Sequence, residues 1–313
     1  MKNSVGLNSS TFPKTLGKLL KDYQLSKLSW LKVGGPAEFF FKPHDFQDLK
    51  NFLTNLRKDI PIFFLGACSN LLIRDGGIQG VIIKLGKNFN KIEIKNDNIE
   101  VGASVLTSRL AIAAADEGCD LSFLRTIPGT VGGAVKMNAG CYGRYISDFL
   151  ESVDIMGRDG KVTKFEKDDL ALKYRISNLP DDGIIISAKF KKLLRNRDQI
   201  RADMQGALKY RSSVQPIDEL SCGSAFKNPS GFSSLGRNDK DFKLSAWKLI
   251  DEAGCRGMML GKAKVSEKHP NFLINTGCAS ASEIEDLGEM IRKKVYKKHG
   301  IHLNWELKIV GNR

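Results

Sequence analysis

Residues 127–140 most constrain what this chain can fold into, because small residues surround two polar side chains there, Thr130 and Asn138. Glycine and alanine leave the backbone uncovered, so another group can approach it closely. A second stretch of small residues, 66–70, directly follows a predicted strand, and the N–H groups of such a loop can point at an anion. Alone, the loop 66–70 is explained equally well as a structural turn, whereas residues 127–140 are harder to explain in that way. Together they favour one long diphosphate ligand held between two modules.

The two loops do not follow the common nucleotide-binding fingerprints. Neither G-x-G-x-x-G nor G-x-x-x-x-G-K-[ST] occurs, and the nearest approach, residues 257–263, is one residue short and lacks a hydroxyl after its lysine. The sequence therefore argues against a Rossmann dehydrogenase and a P-loop kinase.

The length and hydropathy of the chain limit its class. A chain of 313 residues can form two or three domains, each with its own core. No apolar run approaches the roughly 20 residues needed to span a bilayer, so we expect no membrane span. The first 14 residues are polar and lack the apolar stretch of a secretory signal. We therefore expect a cytoplasmic protein.

The charged and metal-ligating residues suggest neither a metal centre nor a nucleic-acid interface. The six cysteines include no C-x-x-C pair, which favours reduced thiols over a zinc site or disulfides. His299 and His302 have no carboxylate or cysteine beside them in sequence, so we expect no metal. The net charge of +14 is spread over runs such as 191–201 and 292–298, which favours a solvated basic surface.

Apolar periodicity predicts an α+β or α/β chain. We expect helices at residues 16–23, 46–56, 105–117, 198–210 and 244–253, and a long one whose capping box pairs Ser282 with Glu285. We expect strands at residues 61–65, 81–85, 92–94, 99–101, 152–156, 184–190, 271–275 and 305–310. Residues 127–143 are expected to be a loop, and the charged run 191–197 a domain boundary.

Several polar residues outside the two loops are candidates for ligand contacts. Arg175 lies in a predicted loop and Arg211 at a predicted helix end, and arginine suits bidentate recognition of carboxylate or phosphate. Residues 222–229 bring a serine, a lysine and an asparagine together. Glu306 stands among apolar neighbours in a predicted terminal strand. Taken singly, the arginines and residues 222–229 are more often surface ion pairs or turns, and Glu306 is either an outward-facing edge residue or a placed acid.

Six segments together carry a resemblance to a known family. They are residues 31–37, 66–74, 127–143, 174–177, 223–229 and 268–272. Their order resembles that of the UDP-N-acetylenolpyruvoylglucosamine reductases, flavoenzymes of peptidoglycan precursor synthesis, from about residue 31 to residue 311. The resemblance implies an α+β protein with a two-subdomain FAD-binding module of the vanillyl-alcohol-oxidase (PCMH) type and an α+β substrate-binding domain. The expected domains are residues 1–88, 89–195 and 196–313.

The resemblance also implies an activity. Hydride would pass from NADPH through FAD to the enolpyruvyl group of the UDP-sugar, giving UDP-N-acetylmuramate. Such a site needs stabilisers for a developing enolate and a proton donor. By motif, Ser224 is the expected proton donor, Arg175 holds the carboxylate and enolate, and Glu306 polarises the enol or orients its partners. Substrate contacts are expected from Arg211, Lys227 and Asn228.

The two glycine-rich loops are the expected FAD site. Because neither loop contains a histidine, we expect the flavin to be held without a covalent link. The expected FAD contacts are Gly66, Ala67, Cys68, Ser69, Asn70, Leu71, Pro128, Gly129, Thr130, Gly132, Gly133, Asn138 and Gly140. We expect small-molecule partners only, no nucleic acid, and a monomer.

The chain departs from the family pattern at a few positions. Ala67 and Cys68 stand where the family usually has glycine, so we expect both to adopt backbone angles that a Cβ tolerates. Residues 230–243 form a longer stretch than expected, without an assigned role. Two other classes stay open on the residues alone: another flavoprotein of this fold, such as an alcohol or sugar oxidase, and a basic binding protein that has lost its flavin.

Overall fold

A computed structural model describes residues 12–232 and 244–313 of the chain. Most of the long stretch 230–243 singled out in the sequence lies outside them. The helices are α1 (Phe46–Asn55), α2 (Thr107–Asp116), α3 (Val131–Lys136), α4 (Ile146–Phe149), α5 (Arg197–Val214), α6 (Ala246–Glu252) and α7 (Ala281–His299). None of these helices has the length and apolar character needed to cross a bilayer.

The strands belong to three main sheets and two small pairs. They are β1 (Lys18–Gln24), β2 (Pro36–Lys42), β3 (Ile62–Phe64), β4 (Leu71–Ile73), β5 (Ile78–Ile83), β6 (Ile92–Ile94), β7 (Asn98–Gly102), β8 (Gly140–Cys141), β9 (Arg144–Tyr145), β10 (Leu150–Met156), β11 (Val162–Glu166), β12 (Ile184–Lys191), β13 (Met259–Leu260), β14 (Ala263–Val265), β15 (Leu273–Asn275) and β16 (Lys308–Val310).

The first sheet has the order β1-β2-β5-β3 and packs against α1. The predicted helix at residues 16–23 is wrong, because this segment contains β1, which pairs antiparallel with β2. A helix would have placed Leu16 and Leu20 on one buried face, but both are exposed. Instead Leu19 packs against the core and Tyr23 stacks on Phe40. Pairing with a buried neighbouring strand has outweighed the local helical spacing.

The second sheet has the order β11-β10-β12-β7-β6, and α2 and α3 pack against it. The prediction that residues 127–143 are entirely loop is wrong, because they contain α3. Thr130 is the N-cap of that helix, and its hydroxyl accepts a hydrogen bond from Gly133 N. A cap followed by small residues is sufficient to start this short helix.

The third sheet, β13-β14-β15, is covered by α6 and α7. The capping box of α7 joins Ser280 to Glu283, two residues before the predicted Ser282 and Glu285. The predicted pair does not form the box because both residues contact residues that are distant in sequence. Asp75 accepts the N–H and hydroxyl of Ser282, and Glu285 accepts two hydrogen bonds of 2.8 Å from Arg74.

Each of the three main sheets forms a structural unit with the helices packed against it, and two features connect these three units. First, β16 returns to the first unit, where it pairs in parallel with β4. Second, Ile200 and Met204 of α5 pack into the core beside the second sheet. The predicted boundary at 195/196 places α5 in the third domain, whereas these two side chains bury themselves in the second unit.

Gly288 and Gly206 offer a matched test of the packing of the third unit. A Cβ on Gly288 in α7 would overlap the ring of Trp305, while a Cβ on Gly206 in α5 meets nothing within 4 Å. We expect Gly288→Ala to lower the free energy of unfolding by ~1–3 kcal/mol through overpacking. Gly206→Ala should raise it by ~0.5–1 kcal/mol, since alanine loses less backbone entropy. Urea denaturation of both variants would measure this, and equal effects would contradict the packing described.

Candidate active site

One large cavity lies where the three units meet. Its volume is about 870 Å³, in the upper part of the ~300–1,000 Å³ range of small-molecule sites. Both glycine-rich loops line it, and so do residues 174–175, 222–224 and Glu306. Seven cationic side chains and two carboxylates line it among the described residues: Lys42, Lys84, Lys87, Lys136, Arg175, Arg211 and Lys308 against Asp181 and Glu306. The cavity therefore suits anionic ligands.

The loop 66–70 leaves β3 at the wall of this cavity. None of its five backbone N–H groups donates a hydrogen bond to another described residue. Cys68 has a φ of +57°, so the expectation of ordinary angles is wrong for it, while Ala67 stays outside the left-handed region. The buried Cys68 side chain packs against Leu65 and Ile73. This packing holds Cys68 in a backbone conformation that normally favours glycine.

The second loop lies directly against the first. The Ser69 hydroxyl donates a 2.8 Å hydrogen bond to Pro128 O, so the two loops form one wall. Gly129 has a φ of +137°, and its N–H, like that of Thr130, donates to no other described residue. A Cβ on Gly133 would meet only the Thr130 hydroxyl, at 3.5 Å. This wall is an uncovered backbone surface with free donors, which suits a diphosphate.

The cavity wall next to Asn70 holds a buried ion pair from distant parts of the sequence. Arg175 Nε donates a 2.7 Å hydrogen bond to Glu306 Oε1, and the two side chains are only 13% and 12% exposed. The Tyr174 hydroxyl donates to Glu306 Oε2 at 3.4 Å. Burial acts to lower the pKa of Arg175, but the charge and hydrogen bond of Glu306, together with the neighbouring Tyr174 and Tyr145, outweigh it and raise that pKa. The guanidinium is therefore charged, in a place largely shielded from water.

Arg175 has a second donor that is unused. Its Nη1 is buried and has no hydrogen-bond partner among the described residues. The residue also has a φ of +58°, a conformation that costs ~1–3 kcal/mol outside glycine. A strained backbone and an unpaired buried donor both indicate that the side chain is held ready for an acceptor on a ligand.

Ser224 lies on the same cavity, between the ion pair and the third sheet. Its neighbour Ala225 accepts a 2.8 Å hydrogen bond from Glu306 N and donates one to Asn271 O. These bonds fix the backbone that directly follows Ser224. The Ser224 hydroxyl itself forms no hydrogen bond with a described residue, so it is free to serve a ligand.

The remaining predicted contacts divide into two groups. Arg211 and Asn228 line the cavity, although Arg211 Nε already donates to Gln215 and the Asn228 amide bonds Ala246 N and Phe232 O. Two side chains are not part of the cavity wall. Lys227 is absent from the lining, and Asn138 uses its amide to bond Lys173 O and Ser147 N inside the protein.

The cavity is also lined by residues to which the sequence patterns assign no role. His269 lies in the segment 268–272, and its Nδ1 accepts a hydrogen bond from Asn271 N. Burial lowers the pKa of His269 to about 4, so the ring is neutral and its Nε2 carries the proton. Lys84 follows β5 directly, and nothing in its sequence distinguished it from a surface lysine.

Comparison with known proteins places this geometry in a family. Residues 37–166 match the FAD binding domain family model, and residues 215–310 match that of the UDP-N-acetylenolpyruvoylglucosamine reductase C-terminal domain. The chain is 49% identical to the UDP-N-acetylenolpyruvoylglucosamine reductase of Ruegeria pomeroyi over 95% of its length and 96% of the relative's. It is 47% identical to that of Roseobacter denitrificans, over 97% and 98%.

A solved structure agrees with the whole fold. The UDP-N-acetylenolpyruvylglucosamine reductase of Thermus caldophilus superposes with a TM-score of 0.78 at 32% identity, covering 95% of this chain and 99% of the other. The α+β fold and the FAD-binding module expected from the sequence are confirmed. The chain belongs to the UDP-N-acetylenolpyruvoylglucosamine reductase family of flavin-dependent oxidoreductases.

Proposed function

We propose that this protein reduces UDP-N-acetylenolpyruvoylglucosamine to UDP-N-acetylmuramate, with NADPH as the reductant and FAD as the bound cofactor. The observation that carries the proposal is the juxtaposition of three groups on one cavity. Ser224, the Arg175 guanidinium and the Glu306 carboxylate face it, and the two glycine-rich loops form another part of its wall. An oxidase of a small alcohol or sugar has no substrate carboxylate, so its site would not need a buried cation such as Arg175.

The loops fit the diphosphate of FAD. Their free N–H groups supply donors without side chains, and Gly129 and Gly133 keep the surface open. No histidine lies in either loop, which supports non-covalent binding. When bound, FAD supplies the hydride for the reduction, replenished from NADPH. The side chains around it must then bind the enolpyruvyl group and manage its charge and proton.

Arg175 and Glu306 would manage the charge. Hydride addition to a vinyl ether beside a carboxylate leaves an enolate, and the unpaired Arg175 Nη1 is a charge-assisted donor for it. Glu306 holds Nε of the same guanidinium at 2.7 Å, which fixes the plane of the fork. The Tyr174 hydroxyl bonds that carboxylate too, and burial raises the pKa of Tyr174, so it remains a neutral donor.

Ser224 would supply the proton that completes the reduction. Its hydroxyl forms no hydrogen bond with a described residue, and the bonds of Ala225 fix the backbone that follows it. A serine hydroxyl is a weak acid, so the step depends on a strongly basic carbanionic carbon held within reach. The Arg175 cation, which lines the same cavity, would lower the free-energy cost of negative charge developing on the Ser224 oxygen.

The UDP portion would lie along the third unit. Asn228 lines the cavity there, Arg211 lines it from α5, and Lys227 precedes Asn228 in sequence. We keep all three as proposed substrate contacts, with Asn138 as a residue that supports the second loop through its internal hydrogen bonds. The cytoplasmic location, the monomeric state and the lack of a nucleic-acid partner also remain predictions.

The central test follows NADPH oxidation by the purified protein at 340 nm, roughly the nicotinamide absorption band. Oxidation should be fast only when UDP-N-acetylenolpyruvoylglucosamine is present, and slower with NADH. Rapid oxidation with O₂ alone would contradict the proposal and favour an oxidase.

Gly133→Val tests the FAD site. The added methyl groups would project into the cavity from a position that is otherwise open, so we expect protein purified without flavin. Gly206→Val makes the same change at an exposed helix position that does not line the cavity, and this variant should stay yellow. The ratio of flavin to protein absorbance measures both. A fully loaded Gly133→Val variant would contradict this site.

Ser224→Ala tests the proton donor. We expect flavin reduction by NADPH to keep its rate, while reoxidation by the enolpyruvyl substrate slows by roughly 10²–10⁴-fold, the range for loss of a general acid. Stopped-flow absorbance separates the two half-reactions. Ser213→Ala removes a hydroxyl that bonds only Tyr210 O and should change neither. Equal slowing of both half-reactions by Ser224→Ala would refute the assignment.

Arg175→Lys tests the fork. Lysine keeps the positive charge but cannot bond Glu306 and the substrate with two fixed donors. We expect kcat/KM for the enolpyruvyl substrate to fall by roughly 10- to 100-fold, the equivalent of one charge-assisted hydrogen bond. Arg201→Lys, in the exposed pair with Asp116, is the control. Unchanged kinetics in Arg175→Lys would remove Arg175 from the reaction.

A further inference from the structure

Lys84 is a largely enclosed cation in the cavity wall that has no acidic partner. Its Nζ donates to Gly66 O, and no carboxylate of a described residue forms an ion pair with it. Its neighbours do not supply the missing charge. Burial raises the pKa of the Cys68 thiol to about 11, so that group is neutral at pH 7, and Lys42 is a second cation. Lys84 is only partly exposed, and a partly desolvated charge without an acidic partner is costly, so an anionic ligand in the cavity would be a favourable counter-charge.

The position of Lys84 identifies the part of the ligand it meets. Gly66, whose carbonyl Lys84 holds, begins the loop 66–70 with its five free N–H groups. A Cβ on Gly66 would lie 3.0 Å from the Thr130 hydroxyl, so the second loop also lies close to this end of the first. Backbone N–H groups carry only partial charges, whereas a diphosphate carries full ones. Lys84 is the described cation in hydrogen-bond contact with this loop.

Three molecules in the proposed reaction carry a diphosphate: FAD, NADPH and the UDP-sugar. The position of Lys84 on the loop favours the diphosphate of FAD over that of the UDP-sugar. Its first residue contacts Lys84, while its last, Asn70, donates a 3.1 Å hydrogen bond to Glu306 O. The proposed reacting groups therefore lie at the far end of the loop from Lys84. The FAD-binding family match, residues 37–166, includes Lys84 and both loops but none of the proposed UDP contacts.

We propose that Lys84 neutralises the diphosphate of FAD and is thereby a main determinant of flavin affinity in this protein. The inference rests on FAD being the cofactor, and it does not depend on which substrate the flavin reduces. Lys84 would act by charge: its ammonium, held at the Gly66 carbonyl, would neutralise the diphosphate, while the loop N–H groups would donate hydrogen bonds to it.

The experiment titrates flavin-free protein with FAD and follows flavin fluorescence to obtain Kd. Lys84→Gln keeps an N–H donor for Gly66 O but removes the charge, and it should weaken FAD binding by roughly 10- to 100-fold, the equivalent of one charge-assisted hydrogen bond. Lys84→Arg keeps the charge and should stay within about fivefold of the native protein. Lys91→Gln, at an exposed lysine paired with Glu93, should leave Kd unchanged.

Two results would overturn the proposal. One is an unchanged FAD Kd in Lys84→Gln. The other is an equal loss of FAD affinity in Lys84→Gln and Lys84→Arg, which would indicate that side-chain shape rather than charge determines binding.

A third measurement tests which diphosphate Lys84 contacts: with FAD saturating, Lys84→Gln should bind UDP-N-acetylenolpyruvoylglucosamine as tightly as the native protein does. Weakened substrate binding with normal FAD binding would move Lys84 to the substrate site. The FAD titration contains no substrate, so failure of the proposed reaction would not affect it.

A measurement on the native protein covers the case in which Lys84→Gln does not fold. Reductive methylation with formaldehyde labels accessible lysines, and peptide mass spectrometry reads each site. ADP, which carries the diphosphate without the flavin, should protect Lys84 in flavin-free protein, whereas Lys91 should be labelled equally with and without it. Labelling of Lys84 that ADP does not reduce, at concentrations where ADP displaces FAD, would contradict the contact.

Discussion

The return of β16 to β4 is the interaction on which the site depends. These three-residue strands pair in parallel, Lys308 N donates to Asn70 O at 3.0 Å, and the Asn70 amide bonds Glu306 O. Residues more than 200 positions apart thereby share one wall. Without this pairing Glu306 would have no fixed position relative to the first loop, and Arg175, from the second unit, would lose its partner. A short, buried piece of backbone pairing thus aligns the three units.

Strain and unpaired charge concentrate at the same cavity. Cys68, Tyr142 and Arg175 line it with left-handed backbone angles, and each such residue costs ~1–3 kcal/mol. Lys84 and Arg175 add buried donors whose natural acceptors are anions. The rest of the fold must compensate, and it does so with extensive apolar cores in all three units. The free protein accordingly carries costs that ligand binding relieves, so bound flavin and substrate should also be stabilisers of the fold.

Local patterns predicted much of this architecture and failed where tertiary contacts decide. The periodicity of residues 46–56 gave α1 correctly, because its apolar face is also its buried face. The same spacing at residues 16–23 misled, since pairing with β2 determines that segment. Ordered motifs located Ser224, Arg175 and Glu306 on one cavity. No pattern could reveal Lys84, because a lysine after a strand resembles any solvated lysine until the loop that encloses it is known.

The late position of Glu306 has a consequence for synthesis of the protein. A chain emerging from the ribosome folds its N-terminal units first, so the two glycine-rich loops and Arg175 are exposed well before residues 306–310 appear. Until then the guanidinium has no carboxylate and β4 no partner strand. The wall formed by the two loops can thus assemble during translation, whereas the Arg175–Glu306 ion pair forms only after residue 306 has been made.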